Sequence, residues 1–220
     1  MTFLKLSALF FDFDGVLVDS AYIKKAAFKE LFRSYGKTVV SQVIDYHCLH
    51  GGISRVDKIS YVHEFILGKP LSKAELQHWG QKYSQLVVEK VVAAEWICGA
   101  QEFLEEMNNQ LPIFVISGTP ENELREVVRR REMEGYFREI LGSPIRKPTH
   151  INNLLTAYNL TPENCVFVGD ALTDYYAAQE TGMSFVGIQG DIEFPEATIV
   201  LPDCRELKKK ILDLGFSCRF

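Results

Sequence analysis

Residues 9–20 of the chain read LFFDFDGVLVDS, and this stretch decides the fold. An apolar run of strand character ends there in two acids, Asp12 and Asp14, with one residue between them. Side chains two residues apart in a strand point the same way, so these carboxylates lie side by side. Two like charges so close are stabilised when a cation binds beside them. The stretch therefore predicts a strand that ends at a cation-binding site.

The rest of the chain alternates short β-rich apolar runs with longer helical patterns, which is typical of a parallel α/β sheet. We predict strands at residues 8–11, 112–116, 139–141, 165–168 and 185–188, and a weak edge strand at 198–201. Three of these runs lead directly into polar or glycine residues, at Asp12, at Ser117 and Gly118, and at Asp170. Ligands bind at the carboxyl ends of the strands of an open parallel sheet. We therefore expect these residues to meet in one crevice.

About a hundred residues separate the first two predicted strands, which is more than one crossover of ~30 residues requires. Between residue 21 and about residue 94, apolar residues recur every three or four positions, which indicates helices. Ser72 and Glu75 match a capping box that begins one of them. We predict a core of residues 1–18 and 95–220 and an inserted helical domain of residues 19–94. The two linkers between them are natural hinge positions.

The composition limits the class of protein. Of the 220 residues, 47% are hydrophobic and 24% are charged, as in ordinary globular proteins, and the net charge of -5 argues against a nucleic-acid partner. No run approaches the ~18 apolar residues of a membrane span. Five cysteines without a CxxC pair predict neither a zinc site nor a disulfide framework. We expect a cytoplasmic protein without a membrane partner, and a monomer is the favoured state.

Four motifs stand out, namely DxDGxxxDS at residues 12–20, an apolar strand ending in Ser or Thr at 113–120, a lysine at Lys147, and GDxxxD at residues 169–174. Together they resemble the motifs of the haloacid dehalogenase-like hydrolases, in the phosphatase branch that includes phosphoglycolate phosphatase and β-phosphoglucomutase. The resemblance covers nearly the whole chain. It implies an α/β fold with a three-layer Rossmann-like core, a parallel sheet and an inserted α-helical cap domain.

The resemblance also implies a function, which is Mg²⁺-dependent hydrolysis of a small phosphorylated metabolite through an aspartyl phosphate. Asp12 is then the nucleophile. Asp14 protonates the leaving oxygen and later deprotonates the attacking water. Lys147 neutralises charge on the phosphoryl group. Ser117 and the backbone N–H of Gly118 are expected to bind phosphate oxygens.

The same resemblance assigns the magnesium ligands to Asp12, the Asp14 backbone carbonyl and Asp170, with Asp174 in a supporting role. The lysine motif departs from its common form Gly-Lys-Pro-x-Pro-Asp, because Arg146 precedes Lys147. Arg146 therefore stays open as a residue that shares or takes the role of Lys147.

The sequence itself predicts a helix next to the second motif. Thr119 is a good N-cap residue, and Pro120 suits the first helical position. A helix that begins there directs its positive dipole end toward a bound anion.

Substrate choice is expected to lie in the cap, because the core motifs contact only phosphate and metal. Residues 51–55, GGISR, resemble the cap loop that reaches the active site in sugar-phosphate members of the branch. Arg55 is therefore the first specificity candidate, with Lys58 behind it. Lys24, shortly after the first motif, is a further candidate for the cleft.

Two other functions stay open. A phosphomutase of the β-phosphoglucomutase kind shares the Gly-Ile-Ser-Arg loop but usually carries His where Lys24 stands. A receiver-like phosphoacceptor also groups carboxylates, a hydroxyl and a lysine around magnesium, but the helical insert and Asp14 argue against it. A dehalogenase is disfavoured, because its chemistry does not need the second aspartate.

Overall fold

The computed structural model describes residues 4–217, and its strands form two parallel sheets. The strands are β1 (Leu4–Lys5), β2 (Ala8–Phe11), β3 (Ile113–Pro120), β4 (Glu139–Ser143), β5 (Cys165–Gly169), β6 (Ser184–Ile188), β7 (Val200–Leu201) and β8 (Phe216–Ser217). Strands β2 to β7 make a six-stranded sheet in the order β4-β3-β2-β5-β6-β7, and every pairing in it is parallel. This confirms the predicted α/β fold with a parallel sheet.

The helices fall into two groups along the chain. They are α1 (Ala21–Leu31), α2 (Lys37–Leu49), α3 (Arg55–Tyr61), α4 (Lys73–Ala93), α5 (Ala100–Met107), α6 (Glu121–Arg130), α7 (Lys147–Ala157), α8 (Leu172–Thr181) and α9 (Leu207–Asp213). A π-helical turn, Val62–Ile66, extends α3. Within residues 4–217 no helix has the length and apolar character to cross a membrane.

Alternate side chains of β2 pack into hydrophobic clusters on the two faces of the sheet. All four residues of β2 are buried, because helices cover both faces of a parallel sheet. Leu9 and Phe11 belong to one hydrophobic cluster, which helices α5, α6 and α9 complete. Ala8 and Phe10 belong to a second cluster on the other face, which helices α7 and α8 complete. The sheet therefore lies between two helical layers.

Helices α1 to α4 form the predicted insert between β2 and β3. Ser72 caps α4 in a full capping box with Glu75, as the sequence predicted. The two connections to the core lie side by side, since the Asp19 N–H donates to the Glu95 carbonyl at 3.0 Å. The division at residues 19–94 stays a prediction, as does hinge motion at these linkers.

The helix after the second motif begins later than predicted. Strand β3 continues through Pro120, which pairs with Ser143 of β4, and α6 begins at Glu121. The prediction of Thr119 as N-cap and Pro120 as first helical residue is therefore wrong. The pairing of Pro120 with Ser143 keeps Thr119 in the strand, and the Thr119 hydroxyl bonds to Asp14 instead of capping the helix. Cys218, one of the five cysteines of the sequence analysis, lies outside the described residues.

Candidate active site

Three neighbouring strands bring the predicted site residues to one end of the sheet. Strands β3, β2 and β5 are adjacent; Asp12 and Asp170 directly follow β2 and β5, and Ser117 lies in the last half of β3. A cavity of about 530 Å³ opens there, and helices α1 to α4 contribute its other wall. This volume is in the range that binds a small organic molecule.

Lys147 connects Asp12, which lines the cavity, to Asp174. As the first residue of α7, it directs its ammonium at Asp12 Oδ1, 2.8 Å away, and at Asp174 Oδ1, 2.5 Å away. All three side chains are buried. Burial alone disfavours the charge, but the two carboxylates raise the pKa of Lys147 above its ordinary value. Arg146, in contrast, is exposed at the helix N-cap.

The residues present fit a magnesium ion. Oxygen atoms of Asp12, Asp170 and Asp174 all lie within 4.8 Å of one another, and Mg²⁺ prefers such oxygen ligands. Burial, and then repulsion from Asp12 and Asp174, raises the pKa of Asp170 well above its ordinary value. A cation among these carboxylates relieves that repulsion. Gly15 leaves room for the Asp170 carboxylate, because a Cβ at this position would overlap it.

Asp14, which also lines the cavity, has its own set of partners. Its carboxylate accepts hydrogen bonds from Ser20 at 2.6 Å, from Thr119 at 3.1 Å, from Ser117 at 3.3 Å and from the Lys24 ammonium. Burial raises its pKa, but the Lys24 charge and the hydrogen bonds outweigh this and leave the pKa of Asp14 below its ordinary value. Asp14 is therefore held as a carboxylate in this arrangement.

Arg55 lies in the cavity wall, but its guanidinium is already engaged. It makes a two-pronged ion pair with Glu123 of α6, and Nη1 also donates to Ser84 of α4 at 2.8 Å. The guanidinium stacks over the Tyr83 ring, 4.7 Å from its centroid. The pair connects the insert to the core, so its geometry favours a positioning role over direct contact with substrate.

The loop at residues 51–55 lies close against the core. A Cβ on Gly118 would overlap the Gly52 carbonyl oxygen, and a Cβ on Gly52 would overlap the Thr173 hydroxyl. Thr173 in turn donates a hydrogen bond to the Gly51 carbonyl at 2.9 Å. Glycines at these positions therefore allow the insert to close over the strand ends.

A family model described as haloacid dehalogenase-like hydrolase matches residues 9–188. This chain belongs to that family. The 6-phosphogluconate phosphatase of Escherichia coli (strain K12) is 27% identical to this hydrolase over 187 residues, which cover 81% of this chain and 80% of the relative. A phosphorylated carbohydrates phosphatase of Thermotoga maritima is 25% identical over 187 residues, which cover 81% of this chain and 82% of the relative. Such relatives place the hydrolase in the phosphatase branch, and it is an enzyme.

Solved structures share the fold. The crystal structure of β-phosphoglucomutase from Clostridium difficile matches with a TM-score of 0.78 and 21% identity, over 96% of each chain. At this identity the likeness supports the hydrolase fold with its inserted cap and nothing finer.

Sequence reasoning missed several residues that the hydrolase brings to the site. Thr119 was assigned to a helix cap, although its position two residues after Ser117 in a strand could have placed it on the same side. Ser20 is the last residue of the first motif, but the motif did not predict its hydrogen bond to Asp14. No sequence pattern pointed to Glu123 or His47. The contact of Glu123 depends on how the insert packs against the core, and the contact of His47 depends on how helices of the insert pack against each other.

Proposed function

We propose that this hydrolase is a Mg²⁺-dependent phosphatase that cleaves small phosphate monoesters through a phosphoenzyme on Asp12. The observation that carries the proposal is the buried Asp12 carboxylate, held by Lys147 at the base of a cavity that is also lined by Ser117 and Asp170. A carboxylate nucleophile divides a difficult displacement into two easier ones. The relatives that act on 6-phosphogluconate and on phosphorylated carbohydrates support a phosphorylated carbohydrate as substrate.

In the proposed first step, one oxygen of Asp12 bonds to phosphorus while the bond from phosphorus to the ester oxygen breaks. The leaving oxygen takes a proton from Asp14. A phosphate dianion bound beside Asp14 raises the pKa of this carboxyl by like-charge repulsion, which favours the protonated form that the step needs. Ser117 donates a hydrogen bond to a phosphate oxygen, and Lys147 offsets the added negative charge.

In the second step, water attacks the phosphorus of the aspartyl phosphate, and Asp14 accepts the proton from this water. Inorganic phosphate leaves, and the Asp12 carboxylate is restored. Asp12, Asp170 and the Asp14 backbone carbonyl would hold Mg²⁺, with Asp174 in support, and the ion would supply charge neutralisation on the phosphoryl oxygens.

The experiment compares wild type with Asp12→Asn on p-nitrophenyl phosphate and on phosphorylated carbohydrates, with Mg²⁺ and after chelation. We expect turnover by wild type only, and loss of turnover on chelation that added Mg²⁺ reverses. Asp45→Asn, an exposed change on α2, is the matched control and should retain activity. Full activity of Asp12→Asn would overturn the proposal.

The fold likeness to β-phosphoglucomutase keeps a phosphomutase as the second candidate. A hexose 1-phosphate tested in the same assay separates the two functions. Release of inorganic phosphate supports the phosphatase. Conversion to the hexose 6-phosphate without release of phosphate would favour the mutase.

A further inference from the structure

The insert contributes four basic side chains to the cavity wall. Three of them have carboxylate partners, in the pairs Lys24 with Asp14, Lys25 with Asp191, and Arg55 with Glu123. The fourth, Lys58 of α3, has no carboxylate of residues 4–217 within ion-pair distance. Its ammonium lies 3.0 Å from His47 Nδ1 and 3.4 Å from the His47 carbonyl oxygen.

Burial makes this arrangement costly for a positive charge. The Lys58 side chain is only 4% exposed, and its ammonium lies over the Phe28 ring, 5.8 Å from the centroid. A buried ammonium without a counter-ion is unfavourable. Burial, and then the Lys24 charge, lowers the pKa of Lys58 to about 7. An anion in the cavity would remove this penalty.

His47 orients the Lys58 ammonium. Burial, and then the Lys58 charge, lowers the pKa of His47 to about 3, so the ring is neutral at ordinary pH. A neutral imidazole nitrogen accepts one N–H of the ammonium. A second N–H donates to the His47 carbonyl oxygen at 3.4 Å, so one N–H of Lys58 remains for a ligand in the cavity, which the lysine lines.

The transferred phosphate and this lysine lie on different walls of the cavity. The core supplies Asp12 and Ser117 to the lining for the phosphate that is removed, with Lys147 bonded to Asp12, whereas Lys58 belongs to helix α3 of the insert. Arg55, the other basic side chain of α3 in this wall, is occupied by Glu123. Lys58 is therefore the group best placed to meet the far end of a bound ester.

We propose that Lys58, oriented by His47, binds a second acidic group of the substrate. The preferred substrates are then phosphate esters that carry a carboxylate or a second phosphate at the end remote from the phosphate that is removed. This inference rests on the proposed phosphatase function and narrows its substrate class.

The test compares esters that differ only in the remote group. Glucitol 6-phosphate has a neutral end, 6-phosphogluconate has a carboxylate there, and glucitol 1,6-bisphosphate has a second phosphate. We expect wild type to prefer at least one acidic ester by ~10-fold or more in kcat/KM, the effect of one charge-assisted hydrogen bond. The ester that is preferred identifies the acidic group.

Variants of Lys58 test whether this lysine causes the preference for acidic esters. In Lys58→Met the ratio of kcat/KM between the acidic and the neutral ester should fall to ~1, since this ratio cancels any general loss of folded enzyme. Lys73→Met removes an exposed lysine of the same insert and should retain the wild-type ratio. Lys58→Arg should also retain it, because the guanidinium stays charged.

The pH dependence of the ratio gives a readout that a purely structural role would not change. Charged or titratable groups that act on Lys58 are Lys24 of α1, His47 and Cys48 of α2, and Asp14 and Asp170 of the core. As pH rises above about 7, Lys58 loses its proton and the wild-type preference should decrease. The preference of Lys58→Arg should stay constant over the same range.

Different results would overturn the role of Lys58 and the phosphatase function. A wild type that hydrolyses p-nitrophenyl phosphate but has no preference for either acidic ester would overturn the role of Lys58 alone. A preference that survives in Lys58→Met would overturn it as well. Absence of turnover of every ester, p-nitrophenyl phosphate included, would overturn the phosphatase function and this inference with it.

Discussion

Lys147 lies between two buried carboxylates, so its removal should affect both activity and stability. Lys147→Met leaves Asp12 and Asp174 without their shared counter-ion, and breaking a buried ion pair costs about 3–5 kcal/mol in unfolding free energy. In the proposed mechanism this charge stabilises the phosphoryl group, so its loss should lower kcat by roughly 10²–10³-fold. Urea unfolding and phosphatase kinetics measure the two effects.

Arg146→Met is the matched control, because Arg146 is the exposed neighbour that the sequence left open for the same role. We expect wild-type kcat and stability for this variant. Loss of activity in Arg146→Met with retention in Lys147→Met would reverse the assignment.

At the scale of single residues, the sequence predicted which acids and which lysine meet. Asp12 and Asp170 come together because the carboxyl ends of parallel strands share one edge, and the resemblance to the hydrolase family implied that Lys147 and Asp174 join them. The partners of Asp14 were harder to predict from the sequence. Its contact with Lys24 depends on how α1 packs across the cavity, and no local pattern in the sequence encodes that distance.

The ion pair between Arg55 of α3 and Glu123 of α6 should hold two elements together. Both side chains are largely buried, so a double-mutant cycle with Arg55→Met and Glu123→Gln should give a coupling free energy of at least ~1.5 kcal/mol. Urea unfolding of the four proteins measures it. The exposed pair of Arg129 and Glu126 on α6 is the control, and its cycle should show no measurable coupling. Equal coupling in the two cycles would contradict the positioning role.

Secondary-structure elements with strong local signals were predictable. Strand β2 begins and ends at the predicted residues, and α4 begins at the predicted capping box. Both signals depend only on residues that are neighbours in the sequence. The start of α6 was not predictable, because the pairing of Pro120 with Ser143 extends β3 by a contact distant in sequence. The pairing of β1 with β8 joins opposite ends of the chain, and the sequence analysis gave no sign of it.

Closure of the insert over the core is expected to depend on Gly118. A methyl group in Gly118→Ala would overlap the Gly52 carbonyl and separate the two walls of the cavity, although the backbone N–H of residue 118 is kept. A displacement of about 1 Å at a reacting centre can cost ~10²-fold in rate, so kcat/KM should fall by about that factor. Steady-state kinetics measures the loss, with circular dichroism as a check on folding.

Gly80→Ala is the corresponding control within α4. No atom lies within 4 Å of a Cβ built at Gly80, and alanine is favoured over glycine in a helix by roughly 0.5–1 kcal/mol. This variant should therefore be fully active and somewhat more stable. Full activity of Gly118→Ala would show that close approach of the insert is not needed for turnover.

At the scale of the whole molecule, the proposed function depends on one covalent step at Asp12, and trapping the phosphoenzyme tests that step most directly. Asp14→Asn slows attack by water but leaves the first step able to proceed with p-nitrophenyl phosphate, whose leaving group needs no proton. Rapid acid quench and peptide mass spectrometry should then find one phosphoryl group on the peptide that contains Asp12, removable by hydroxylamine. A phosphoryl group on any other residue, or an unmodified Asp12 peptide during turnover, would contradict the account.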